Sequence, residues 1–252
     1  MDEQKKLSEE YRLMKRIRTH FQKGLVQYSL IDEGDKILIA LSGGKDSLAL
    51  LELLAERSRI LKPHFSVEAA HVVMTNITYK SDHKYLEDFA REHGVKLHIV
   101  ETSFNSDTDN RKSPCFLCSW NRRKALFTLA KELGCNKIAL GHHQDDILQT
   151  LLMNITFQGA FSTMPPKLVM RKFDMTIIRP MCLVHEADLK RLAELHHYQK
   201  QIKNCPYETD SHRSDMKQIF AQLEQMNPEA RYSLWNSMSN IQHELLPQND
   251  SE

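Results

Sequence analysis

Hydrophobic residues follow two alternating patterns along the chain. From Leu13 to Leu25 an apolar residue recurs at every fourth position, and this spacing predicts an amphipathic helix over residues 8–29. A short unbroken apolar run at 36–41 follows a turn signal at 31–35. Such a run is typical of a strand that is buried on both faces of a parallel sheet.

The same alternation continues as far as residue 157. Further strands are predicted at residues 65–74, 96–101 and 137–140, and further helices at 46–60, 81–92, 118–133 and 145–157. Strands that alternate with helices at this spacing pair in parallel through right-handed crossovers. The predicted fold class is therefore α/β, with a doubly wound parallel sheet.

Beyond residue 160 the pattern loosens. Two β-like runs at 168–170 and 176–178 are candidates to extend the sheet, and helices are predicted at 186–196, 211–225 and 228–245. The expected organisation is a basic N-terminal helix at 1–30, an α/β domain at 31–185, a helical region at 186–246 and a frayed tail at 247–252.

The net charge is uninformative about function, because 34 Lys and Arg nearly balance 33 Asp and Glu. The distribution is more informative. Between Arg12 and Lys23 there are five basic residues and no acidic one. Such a segment could face nucleic-acid phosphates by displacing their counterions. A solvated helix face is the alternative interpretation.

The N-terminus is polar and lacks the apolar stretch of a signal peptide, and no apolar run has the length that a bilayer crossing needs. We therefore expect a cytoplasmic protein with no membrane role. Five cysteines in such a chain do not indicate a disulfide framework. In a reducing compartment a close cysteine pair more often binds metal or does redox work.

The segment Ser42–Ser47 is a glycine-bearing loop between the first predicted strand and a helix. A helix N-terminus offers unpaired N–H groups and a partial positive charge to phosphate oxygens, and two glycines let the backbone approach them. Lys45 can pair with a phosphate. The spacing matches neither the P-loop of common NTPases nor the dinucleotide fingerprint, and a generic strand–helix turn is the alternative.

A second polar segment, Gly141–Asp146, follows the strand at 137–140. Its adjacent carboxylates, Asp145 and Asp146, can hold Mg²⁺ together with substrate phosphates. They can equally cap free N–H groups at the start of a helix. We favour the functional role for Asp145 and leave both roles open for Asp146.

Cys115 and Cys118 form a close pair ahead of the basic run 121–124, and Cys205 is a candidate third ligand. The pair alone fits a redox couple, half a zinc site or part of an iron–sulfur cluster. Zinc would need a fourth ligand, for which His196, His197 and His212 are candidates. A four-iron cluster on three thiolates would keep one iron open. Cys135 and Cys182 are interpreted as ordinary buried cysteines.

The loop Ser42–Ser47, read as Ser-Gly-Gly-Lys-Asp-Ser, resembles the PP-loop signature of the ATP pyrophosphatase superfamily. Members of that superfamily cleave ATP between its α and β phosphates and transfer AMP to a substrate. The resemblance implies an adenine nucleotide alpha hydrolase-like sheet and ATP with Mg²⁺ as the nucleotide. It also implies that Ser42–Ser47 hold the pyrophosphate end of ATP.

The order of features is similar to that of the 2-thiocytidine synthetases, a family of tRNA-modifying PP-loop enzymes. The features are the basic N-terminal helix, the loop Ser42–Ser47, Pro114–Cys118 with the arginines that follow it, Gly141–Thr150, Met164–Lys167 and the late Cys205. The resemblance covers about Leu13 to Leu245. It implies that ATP adenylates a tRNA base carbonyl, expected to be a cytidine, and that sulfur held on the open iron of a 4Fe–4S cluster displaces AMP.

The resemblance also carries residue roles. The cluster is expected on Cys115, Cys118 and Cys205, and the catalytic residues are expected to be Asp145, Arg122 and Lys45. The expected nucleotide contacts are Ala40, Ser42, Gly43, Gly44, Lys45, Asp46, Ser47, Gly141 and Asp146. The implied partners are tRNA and a sulfur donor such as a cysteine desulfurase, and a homodimer is left open.

The chain departs from the family pattern at two places. Glu208 stands where many 2-thiocytidine synthetases have a second late cysteine, and no Asp-Gln pair follows the strand ending at Met74. Two other functions compete. A PP-loop enzyme that uses an amine nucleophile would not need Cys115 and Cys118. A nucleotide-binding redox sensor would release no AMP.

Overall fold

The computed structural model describes residues 2–60, 62–77, 82–104, 113–199 and 212–247. The helices are α1 (Asp2–Gln27), α2 (Lys45–Ser58), α3 (His83–Glu92), α4 (Pro114–Glu132), α5 (Gln144–Gln158), α6 (Glu186–Leu195), α7 (His212–Met226) and α8 (Ala230–Ser237). The strands are β1 (Lys36–Ala40), β2 (Ser66–Met74), β3 (Lys96–Thr102), β4 (Lys137–Ala139), β5 (Lys167–Met170) and β6 (Met175–Ile178).

The strands form one sheet in the order β3-β2-β1-β4-β6-β5. Every neighbouring pair is parallel except β5 and β6, which form an antiparallel hairpin. The predicted α/β class and the predicted extension of the sheet are thus confirmed. β1 lies in the middle of the sheet, and Ile37, Leu38 and Ile39 have no solvent exposure, which explains its unbroken apolar run.

The contacts divide the chain into two compact units. The first comprises residues 1–145 and 165–209, and it contains the sheet. The second comprises residues 146–164 and 210–252. Inside the second unit, Met216 and Phe220 of α7 are buried, and the guanidinium of Arg231 from α8 lies 4.9 Å from the centre of the Phe220 ring.

Helix α1 buries the predicted stripe from Leu13 to Leu25 in the core of the first unit. The helix starts earlier than predicted because the polar residues before position 8 are good helix formers and need no burial. Two cations of its basic run are engaged by other helices. Arg16 makes a bidentate pair with Asp188 of α6, and Arg18 pairs with Glu56 of α2. No described helix is both long enough and apolar enough to cross a bilayer.

Two further helix boundaries differ from the prediction. Helix α4 begins at Pro114 rather than Cys118, because the Ser113 side chain accepts the N–H of Phe116 and proline suits the first helical position. The helix predicted at 228–245 ends at Ser237, and a single 3₁₀ turn follows at His243–Leu245. Ser237 and Ser239 donate to backbone carbonyls three residues earlier, which competes with helix propagation.

Candidate active site

The glycine-bearing loop lies at the carboxyl end of β1, the central strand of the sheet. Gly43 has a φ of +81°, a conformation that glycine adopts without strain. Gly44 is the N-cap of α2 and has no side chain that could accept the N–H groups of the first turn. The Ser47 N–H already donates to the Gly44 carbonyl oxygen at 3.0 Å, so the N–H groups of Lys45 and Asp46, together with the helix dipole, are the ones that can serve an anion.

Two hydroxyl groups fix the shape of this loop. The Ser47 hydroxyl donates to the carbonyl oxygen of Gly44 at 2.9 Å, and the Ser42 hydroxyl lies 3.2 Å from the Ser47 oxygen. The buried residues of α2 begin at Ser47 and continue through Leu51. The loop is thus held by the hydrophobic core directly behind it.

Gly141 brings the segment after β4 against the same loop. A Cβ atom at this position would lie 3.2 Å from the backbone carbon and oxygen of Asp46 and from the nitrogen of Ser47. These are backbone atoms and cannot rotate away. Glycine therefore permits the close approach of residues 141–145 to the first turn of α2, since a side chain here would push that backbone back by a few tenths of an ångström.

The charged side chains beside the loop form a connected group. The Lys45 ammonium lies 2.8 Å from Asp46 and 3.7 Å from Glu186. The buried ring of His143 stands 3.9 Å from Asp46 and 3.8 Å from Asp145. Asp145 in turn accepts the backbone N–H of Glu186 at 2.8 Å, so it also caps α6. Asp146 follows in the first turn of α5 and is half-buried.

His71, in the interior of β2, supports the loop. Its Nδ1 lies 2.7 Å from the carbonyl oxygen of Leu41, and since a carbonyl can only accept, this nitrogen carries the proton. Burial lowers the pKa of His71, with a smaller contribution from the positive charge of Arg122. The ring is therefore a neutral donor that fixes the residue preceding Ser42.

Helix α4 carries the cysteine pair and Arg122 on one face. Cys115, Cys118 and Arg122 have spacings of three and four residues, which align side chains along a helix. Cys115 is exposed and Cys118 is half-buried. Arg122 shares a cavity with Ala40 and Ser42 of the loop, and Ala70, His71 and Leu126 also line it. The helix with the cysteines and the glycine loop therefore open into one cavity.

Cys205, the third predicted ligand, lies outside the described residues, as does Glu208. Within the part of the chain that the structure describes, no group of three or more His, Cys, Asp or Glu is arranged to hold a metal ion. His196, a candidate zinc ligand, has its Nδ1 3.2 Å from Glu52 and its Nε2 3.4 Å from Glu10. Cys135 and Cys182 are buried as predicted, and burial raises the pKa of Cys182 to about 12.

Two residues of this site were missed from the sequence. His71 left a signal, because it is a polar residue inside the apolar strand β2. No comparable signal marked Glu186 in the sequence, since an acidic residue in the first turn of a helix is common. Its proximity to Lys45 arises only when the fold brings α6 beside α2.

A family described as the PP-loop domain matches residues 13–211. The chain is 36% identical over 239 residues to a tRNA-cytidine(32) 2-sulfurtransferase from Syntrophotalea carbinolica, covering 92% of each protein. It is 35% identical over 260 residues to a protein of the same name from Paraburkholderia phymatum, covering 97% of this chain and 76% of that one.

Among solved structures, the chain resembles the U34-tRNA thiolase NcsA from Methanococcus maripaludis, which was solved with its 4Fe–4S cluster. The TM-score is 0.74 and the sequence identity is 25%. The match covers 96% of this chain and 82% of the thiolase.

Proposed function

The chain belongs to the PP-loop family and, within it, to the tRNA-cytidine 2-sulfurtransferases, and on that premise we propose that it uses ATP to replace the C2 oxygen of a tRNA cytidine with sulfur. It is an ATP-dependent sulfurtransferase that acts on tRNA. By the names of its relatives, the proposed target is cytidine 32.

One observation carries the proposal more than any other. Arg122 extends from the helix face that bears Cys115 and Cys118 into the cavity lined by Ala40 and Ser42 of the nucleotide loop. Arg122 would thus stand between a sulfur-delivering group on that helix face and the phosphates of ATP at the loop. An amine-using PP-loop enzyme would have no need of that juxtaposition.

The nucleotide loop supplies the first half of the reaction. The N–H groups at the start of α2 and the Lys45 ammonium would bind the pyrophosphate end of ATP. The base oxygen attacks the α-phosphorus, the bond from that phosphorus to the bridging oxygen breaks, and pyrophosphate leaves. Lys45 stabilises the negative charge that develops on the leaving group.

The second half replaces oxygen by sulfur. A sulfur nucleophile bonds to C2 of the base, the C2–O bond breaks, and the oxygen leaves as part of AMP. Adenylation is needed because a carbonyl oxygen alone is a poor leaving group. Arg122, at the boundary between the cysteine face and the cavity, is proposed to stabilise the departing AMP phosphate.

The cysteines fit the proposed cluster in type and in placement. Cys115 and Cys118 lie on one face of the first turn and a half of α4, where Cys115 is exposed and Cys118 is half-buried. The similarity to a thiolase solved with a 4Fe–4S cluster supports a cluster in this chain, and Cys205 is its proposed third ligand. When bound, such a cluster would supply one iron with an open coordination position for sulfur.

Magnesium is assigned to the carboxylates beside the loop. Asp46 and Asp145 both lie within 4 Å of the buried ring of His143, and Mg²⁺ is bound through one or two carboxylates together with substrate phosphates. Asp145 is the stronger candidate because its segment is pressed against the loop by Gly141.

The test is a complete reaction under anaerobic conditions. Protein, unmodified tRNA transcript, ATP, Mg²⁺ and a cysteine desulfurase with cysteine are incubated, and nucleosides and nucleotides are quantified by mass spectrometry. We expect 2-thiocytidine and AMP in equal amounts, both dependent on tRNA. AMP formation without any thiolated nucleoside would refute sulfur transfer.

A further inference from the structure

Helix α4 has a second functional face beside the one that carries the cysteines. Phe116, Trp120, Arg123 and Phe127 follow one another at spacings of four, three and four residues, so they align along the helix. At 3.6 residues per turn this line lies about a third of a turn from the line of Cys115, Cys118 and Arg122. We call it, together with Phe173 of the β5–β6 hairpin, the aromatic–basic stripe.

The stripe is open to solvent for most of its length. Phe116 and Trp120 are 50% and 51% exposed, and Phe173 is 52% exposed. The rings of Phe127 and Phe173 lie 5.1 Å apart between centroids, so the hairpin continues the line that the helix begins. From Phe116 to Phe127 the line extends about 16 Å along the helix axis.

The electrostatic surroundings of the stripe are positive. From Ser113 to Lys131 the sequence has no acidic residue, and Arg122, Arg123 and Lys124 are consecutive. The side chains of Arg123 and Lys124 are exposed, and the hairpin turn adds exposed Arg171 and Lys172 beside one exposed carboxylate, Asp174. Arg123 is oriented by its 2.6 Å hydrogen bond to Ser119.

We propose that the aromatic–basic stripe binds unpaired nucleotides of the RNA substrate, with bases stacked on Trp120 and Phe116 and phosphates paired with the flanking cations. Single-stranded RNA is recognised through such stacking because every base has an aromatic face, and basic residues follow its backbone. A protein partner with an acidic surface would suit the cations but would not require exposed aromatic rings in line with them.

The position of the stripe would place bound RNA close to the nucleotide cavity. An RNA loop held on the stripe is adjacent, around the same helix, to the face that opens into the nucleotide cavity. Loop nucleotides next to the target would remain on the stripe while the target base turns inward. The inference rests on the proposed function, because it names how the tRNA of that reaction is held.

Tryptophan fluorescence reads out this contact directly, since the chain has two tryptophans. Trp235→Phe leaves Trp120 as the sole tryptophan. Titration with an RNA stem-loop should quench its fluorescence, whereas a blunt RNA duplex of the same length should quench it much less. Equal quenching by both RNAs, or none by either, overturns the proposal.

Substitution tests the contribution to binding. Trp120→Ala should weaken affinity for unmodified tRNA about tenfold, the effect expected from losing one stacked base. Trp120→Phe should retain most of the affinity, and Tyr232→Ala, an exposed aromatic of α8, should retain all of it. Iron content and ATP affinity should be unchanged in Trp120→Ala, which excludes misfolding as the cause.

The outcomes separate the two proposals. Wild-type affinity in Trp120→Ala, with thiolation intact, overturns the stripe and leaves the sulfurtransferase. A changed oligomeric mass with unchanged RNA affinity identifies the stripe as a contact between copies of the chain, which also overturns it. Failure of wild-type protein to thiolate tRNA, despite quenching by the stem-loop, refutes the proposed function alone.

Discussion

The first turns of α2 and α4 are built differently although both serve the proposed reaction. Helix α2 starts at a glycine cap and is buried from Ser47 onward. Helix α4 starts at Ser113, whose side chain already accepts an N–H group, and within α4, all of which the structure describes, only Ala130 is buried. The first helix start offers backbone N–H groups, and the second offers side chains.

The difference shows which of the two sites is formed entirely by the sheet and the segments that follow its strands. The nucleotide loop takes its shape from β1, Gly141 and His71, all of which belong to the first unit. The proposed cysteine site would take two ligands from an accessible helix and a third, Cys205, from a distant part of the sequence. We therefore expect the nucleotide function to survive damage to the cysteine site, and the converse.

The largest effect is expected from Cys118→Ala. Loss of one of three thiolate ligands should abolish both iron binding and thiolation. ATP affinity should stay at the wild-type value because the loop is held by other elements. Cys135→Ala, which alters a buried cysteine behind the sheet, is the matched control and should keep its iron. Iron retained in Cys118→Ala would remove this residue from the ligand set.

Lys45→Ala should impair the nucleotide function and leave iron binding intact. Removing the ammonium that is proposed to stabilise the leaving pyrophosphate should lower kcat/KM for thiolation at least about 100-fold, while the iron content stays intact. Lys190→Ala is a matched control, because Lys190 also lies near Glu186, at 3.3 Å, but belongs to α6 rather than the loop. It should remain within a few-fold of wild type. Similar losses in both variants would assign the effect to Glu186 and not to the nucleotide.

Gly141→Ala should have an intermediate effect. The new methyl group would meet the backbone of Asp46 and Ser47 at 3.2 Å, so the start of α2 has to shift. We expect ATP affinity, measured by calorimetry, to fall about tenfold, because phosphate ligands are sensitive to the placement of N–H groups. Cluster absorbance should not change. Unaltered ATP affinity would show that this contact does not shape the loop.

The smallest effect is expected from the contacts of His196 and Tyr198, which precede Cys205 in the sequence. Glu52 accepts a hydrogen bond from Tyr198 at 2.6 Å and lies 3.2 Å from His196, and Glu10 is near the other ring nitrogen. The hydrogen bond with Glu52 raises the pKa of His196. Its contribution to stability is thus present below the unfolded pKa of about 6.5 and is lost as pH rises through the higher folded value.

Thermal unfolding tests whether this contribution to stability decreases as pH rises. The melting temperature of His196→Gln should lie about 2–4 °C below that of wild type near pH 6, and the gap should narrow toward about pH 8. A gap that widens with rising pH would contradict the assigned direction of the pKa shift.

The sequence predicted the parts of the site that depend on local pattern. The apolar run of β1 and the two glycines after it indicated a phosphate loop at a strand end, and the structure has that loop. The approach of Glu186 to Lys45 could not be predicted, since it depends on how α6 packs beside α2. The early start of α4 was missed because Pro114 was not recognised as a first helical residue.

Metal analysis of Cys205→Ala, purified anaerobically beside the wild-type protein, tests the central claim most directly. Wild-type protein should be brown and contain about four irons per chain. Cys205→Ala should lose that iron and its colour while binding ATP normally. A variant that keeps its iron, or a colourless wild-type protein that contains zinc, would contradict an iron–sulfur site built on Cys115, Cys118 and Cys205.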